Sequence, residues 1–94
     1  MEIEILTRSK QRKEAILSMA TLYAYHLKIA KNKTKLFIFT MPNLVKKEGY
    51  NGIVSRNDDG SILMGLDSRI SATQLSLTLA HEMVHVKQMV KGQY

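Results

Sequence analysis

The residues His81-Glu82-Met83-Val84-His85 carry the chemistry of this chain. Two histidines four apart on an α-helix lie about 40° apart around the axis and about 6 Å apart along it, so both imidazoles leave one face. That is the geometry of a two-histidine zinc clamp. Glu82, turned by roughly 100° from His81, stands beside such a metal without pointing at it. A carboxylate in that place can accept a proton from a water that the metal activates, so the pattern predicts metal-assisted hydrolysis.

A clamp of this kind needs a helix, and the flanking residues supply its signals. Ser71-Ala72-Thr73-Gln74 has the form of a capping box, with the Ser71 hydroxyl placed to accept from the Gln74 N–H. From there Leu75, Leu79, Met83, Val86 and Val90 recur at spacings of three and four, and Leu77, Ala80 and Val84 widen the stripe. Lys87 and Lys91 suit the C-terminal end of the helix dipole, and Gly92 suits the position just past it. The spacing therefore predicts an active helix over about 72–91 with the motif in its middle. Two core histidines that merely satisfy backbone carbonyls are the weaker reading, because an unpartnered buried Glu82 would cost several kcal/mol.

Ninety-four residues suffice for one small domain with a single core, and 45% hydrophobic content excludes a disordered chain. There is no cysteine, which excludes disulfides and a Cys-based zinc finger; a metal must be held by His, carboxylate and water. The opening Met1-Glu2-Ile3-Glu4-Ile5 is acidic and alternating, unlike a signal peptide, and no apolar run approaches a membrane span, so a cytoplasmic location is expected. Fourteen Lys and Arg against eight Asp and Glu give +6. The excess gathers at Arg8, Lys10, Arg12 and Lys13, at Lys28, Lys31, Lys33 and Lys35, and at Lys46 and Lys47. Such clusters suit a phosphate-binding footprint. With only four Tyr and two Phe to stack on bases, and no recognisable nucleic-acid module, solvated helix ends and loops are the preferred reading and nucleic-acid contact the second.

Along the chain, Glu2 to Leu6 alternates like a strand. Lys10 to Ala30 reads as a helix capped by Thr7 or Ser9, with Ile16, Met19, Ala20, Tyr23 and Leu27 on its core face and Asn32 at its end. Leu36-Phe37-Ile38-Phe39 is a continuous run of β-formers typical of a central strand, and Pro42 stops it. Tyr50 to Arg56 and Ser61 to Asp67 flank Asn57-Asp58-Asp59-Gly60, a hairpin turn signal. Asn43 to Gly49 reads as a mobile loop. The expected fold is α+β, a small mixed sheet of about four strands packed by two helices in the order β-α-β-β-β-α, with residues 1–94 forming a single minimal domain.

The order of these elements is similar to the N-terminal half of zincin metallopeptidases. The run Leu79-Ala80-His81-Glu82-Met83-Val84-His85-Val86-Lys87-Gln88 resembles the active helix of small SprT-like and phage-encoded zincins. The resemblance spans the whole chain in topology but only this helix in residues. It implies a zinc metallopeptidase acting on peptide or protein, with His81 and His85 as Zn2+ ligands and Glu82 as general base. It also implies that substrate adds as a strand to the edge before the active helix, along Ser61 to Leu66.

A catalytic zinc usually takes three protein ligands. The metzincin extension would require Gly at 88 and His at 91, where this chain has Gln88 and Lys91, and no Asp, Glu or His follows His85. Asp67, His26, the Tyr94 carboxylate, a partner chain and water are the remaining sources. A further C-terminal segment is favoured, since Gly92-Gln93-Tyr94 reads as a linker. Asp67 has an equally ordinary role in capping the turn at Ser68-Arg69, and His26 that of a partly buried, hydrogen-bonded residue. Tyr50, Tyr94 and Arg69 are candidates to stabilise an oxyanion. An open cleft would leave Met83 and Met89 partly exposed and invite a homodimer. A non-catalytic zinc-binding or nucleic-acid-associated zincin-like protein is the alternative function.

Overall fold

The computed structural model describes residues 1–92 and has the order β1 (Glu2–Leu6), α1 (Lys10–His26), β2 (Lys35–Met41), α2 (Leu44–Glu48), β3 (Gly52–Arg56), β4 (Ile62–Asp67) and α3 (Ala72–Val90). The four strands form one mixed sheet in the order β1-β2-β4-β3. β1 and β4 each run parallel to β2, while β3 runs antiparallel to β4. The α+β expectation holds, with one helix more than predicted.

Alternation decides which side of the sheet is dry. Ile5, Leu36, Ile38, Ile62, Met64 and Leu66 are buried from the sheet. Ile16, Ala20 and Ala24 meet them from α1, and Leu75, Leu79, Met83 and Val86 from α3. Each large side chain so removed from water contributes about 1.5–3 kcal/mol. α1 is tied at two further points, to Ile70 just ahead of α3 and to Ser76 within it. The Arg12 Nη2 donates to the Ile70 carbonyl at 2.9 Å, and the Tyr23 and Ser76 hydroxyls share a hydrogen bond at 3.2 Å.

Local chemistry sets where the elements stop. The Ser71 hydroxyl accepts from the Gln74 N–H at 3.2 Å, so α3 begins where the capping residues place it. α1 ends earlier than its periodicity suggested, at His26 rather than Ala30. Lys28 adopts φ 62°, and the Ile29 and Lys28 N–H groups donate to the Ala24 and Tyr25 carbonyls. This is a Schellman ending with lysine where glycine is usual, and burial of Ile29 beyond it secures the turn.

The segment expected to be a mobile loop contains α2. Its N-cap residue, Asn43, makes no side-chain capping bond; Asp67 at the end of β4 does so instead, its Oδ2 accepting from the Val45 N–H at 2.8 Å. Burial of Leu44 completes the anchor. Among the described residues no helix is long and apolar enough to cross a membrane.

Candidate metal centre

α3 carries His81, Glu82 and His85 across the β3–β4 end of the sheet, and their ligand atoms all lie within 4.8 Å of one another. The two imidazole rings are 4.9 Å apart and nearly perpendicular, at 89°. The i, i+4 spacing thus brings the two imidazoles together on one helix face. His81 is exposed, His85 is partly buried and Glu82 is only 7% exposed. Among the described residues the Glu82 carboxylate accepts no hydrogen bond, and its oxygens are not shut off from solvent. It lines two recesses of about 350 and 360 Å³ that share Tyr50, Gly52 and His81. The first extends toward Leu77 and Thr78, the second toward Ile53 and His85.

Gln88 is a site residue that sequence reasoning weighed only as a departure from a motif. It lies one turn beyond His85, with Oε1 3.1 Å from the His85 Nδ1. An amide oxygen can only accept, so Nδ1 carries the hydrogen, and Nε2 becomes the nitrogen with a lone pair to offer a metal. Histidine ligands are commonly oriented by such a second partner. The signal was present in the i, i+3 spacing of His85 and Gln88.

Gly52 is the other residue that was missed. A Cβ there would stand 2.8 Å from Thr78 Cγ2 and 3.1 Å from Glu82 Cγ. Only glycine lets the edge strand approach α3 so closely beside the carboxylate. No one-dimensional pattern announces such an approach, because it depends on how α3 crosses β3.

The remaining candidates separate. Tyr50 lines both recesses beside His81 and Glu82. Arg69 lies instead in a recess with Asp67, Ile70 and Gln74, and Tyr94 lies outside the described residues. Asp67 is not brought to the centre. It is buried, with Oδ2 engaged by Val45 and Oδ1 accepting from the Arg69 N–H at 2.7 Å. Those donors, Val45 first, hold its carboxyl below the usual carboxylate range despite the opposing effect of burial. His26 is exposed, not partly buried, and its ring meets Tyr25 edge-on at 5.6 Å. Among the described residues no further His, Asp or Glu joins the group.

Two expectations about the surroundings are corrected. β4 cannot receive a strand, because β2 and β3 already occupy both its edges; β3 is the edge strand beside the site. Met83 and Met89 are buried, at 0% and 7% exposure, because they turn toward the sheet. The exposed apolar side chains lining the recesses are instead Tyr50 and Leu77.

Comparison with protein-family models, with curated proteins and with solved structures gives no match to the chain.

Proposed function

We propose that this chain is a zinc-dependent metallopeptidase domain in which His81 and His85 hold the metal and Glu82 is the general base. The observation that carries the reading is the Glu82 carboxylate, without a hydrogen-bond partner among the described residues, beside two imidazoles that share a helix face, all opening onto a cleft beside a sheet edge. A bound zinc would supply Lewis acidity to a water and to the scissile carbonyl. Glu82 takes the proton of a water in the cleft and passes it to the leaving amine. Tyr50 has a phenol at the mouth of the same recesses and is the residue best situated to donate to the developing oxyanion. An extended peptide would add to the outer edge of β3, its backbone pairing with Gly52–Arg56 and its side chains entering the two recesses. We place the protein in the cytoplasm, a reading supported by the absence of cysteine.

Having two protein ligands among the described residues rather than three favours one second reading, a zinc-binding domain without turnover. Hydrolysis of an unfolded protein substrate, followed with zinc and with a chelator present, separates the two. Zinc-dependent cleavage that Glu82→Gln abolishes, while zinc binding persists, is the result expected of a peptidase. Cleavage that survives Glu82→Gln contradicts the general-base role, and a zinc-loaded wild type without turnover selects the second reading.

A further inference from the structure

The helices α1 and α3 cover one face of the sheet, and the other face carries an unusual combination of residues. On β2, Lys35, Phe37 and Phe39 project to that side, opposite the buried Leu36 and Ile38. β2 is an inner strand, so the two phenylalanines stand in the middle of the sheet, about 6.6 Å apart along it. Phe39 reaches over its register partner Gly65, where a Cβ would lie 3.0 Å from the ring Cζ. Glycine at 65 therefore lets that ring lie against the neighbouring strand. Neither ring is sealed, both being partly buried.

Beside Phe37 an open groove of about 850 Å³ runs between the α1–β2 loop and the β3–β4 turn. Lys31, Lys33, Lys35 and Arg56 line it, against the single carboxylate of Asp59. Asp59 accepts from both the backbone N–H and the hydroxyl of Ser61, which hold its pKa below the ordinary value, so its charge stays. Glu2 and Glu4, opposite Lys35 and Phe37 on β1, bound the surface on its other side. The cations thus gather at the groove, beside the start of β2.

We infer that this face binds single-stranded nucleic acid, with bases stacking on Phe37 and Phe39 and the phosphates following Lys33 and Lys35. Partly buried rings at alternate positions of an inner strand, with cations at one end, suit a ligand that offers flat apolar faces at intervals and a negative charge at each step. A duplex hides its base faces, and an acidic peptide has none to stack. Lys35 Nζ lies 5.0 Å from the centroid of the Phe37 ring. An exposed cation–π contact is worth about 0.5–1 kcal/mol, against about 1–3 kcal/mol for a stacked base. The base displaces the lysine, whose charge then serves a phosphate. The hydroxyl of Ser61 and the side-chain carbonyl of Asn32 are engaged internally.

Fluorescence anisotropy of the whole chain with a labelled oligothymidylate of about 12 nucleotides tests this, a length within the usual range of single-strand sites. Binding is expected at about 50 mM salt, weaker for a duplex of equal length. Phe37→Leu or Phe39→Leu, which keep apolar bulk, should each weaken it roughly 5- to 100-fold, the fold-change of one lost stack. Lys33→Gln and Lys35→Gln should each lower the slope of log affinity against log salt by about 0.7. His81→Ala should leave binding unchanged, which separates this surface from the metal centre. Absence of binding at low salt overturns the inference. So does binding that the phenylalanine variants leave intact while circular dichroism reports a native fold, since that is plain polyelectrolyte adsorption.

Discussion

Gln88 makes the sharpest demand at the level of single residues. If its amide fixes the tautomer and rotation of His85, Gln88→Leu should lower zinc affinity by about 10- to 100-fold without altering the helix content. Titration with zinc and circular dichroism on the same sample read both quantities, and an unchanged affinity would show that the contact is incidental. Gly52 makes a different demand. An alanine there must push Thr78 Cγ2, which its Cβ would approach to 2.8 Å, and shift Glu82. Gly52→Ala should cost about 1–3 kcal/mol in denaturant unfolding and reduce hydrolysis while zinc still binds. Equal stability and turnover would mean that the strand can back away at no cost. His81, Glu82 and His85 were legible because helix periodicity alone brings them together. Gln88 is local too, and was overlooked only because its place in a ligand pattern drew attention from its spacing to His85. Gly52 depends on a crossing of strand and helix that no local pattern records.

At the level of elements, the ends and attachments were the hardest features to foresee. The capping residues of α3 were readable because Ser71 acts within its own turn. α2 escaped notice because its capping carboxylate comes from Asp67, more than twenty residues later, across β3. That contact has a pH signature. The folded-state pKa of Asp67 lies below its unfolded value, chiefly through the Val45 N–H. The unfolded chain therefore takes up the proton first on acidification. The stabilisation is complete above about pH 4, the unfolded carboxylate value, and is lost as the pH falls through the folded one. Asp67→Asn should lower stability at neutral pH by about 1 kcal/mol and flatten the acid limb of a melting-temperature profile. An acid limb identical to that of the wild type would refute this assignment. The early end of α1 is equally physical. Lys28 holds a left-handed conformation that disfavours a side chain, so Lys28→Gly should stabilise the chain by about 0.5–1 kcal/mol in urea unfolding. A loss of stability would mean that the lysine side chain contributes more than its strain costs.

At the scale of the whole molecule, strand order decides what the surfaces are for. The alternation of β1 and the apolar run of β2 identify strands, and that run suits an inner one, but neither says that β3 lies outermost beside α3. With β3 at the edge, the cleft of α3 faces a strand that can still pair with a peptide, and with β2 inside, its two phenylalanines stand mid-sheet. The two proposed activities thus occupy separate parts of the sheet and can be removed one at a time. The central claim is the metal clamp, and isothermal titration of the wild type, His81→Ala and His85→Ala with zinc tests it most directly. The account predicts one zinc per chain for the wild type, held less tightly than at a three-ligand site and lost in either variant with the fold intact. Stoichiometry and affinity unchanged in both variants would contradict it.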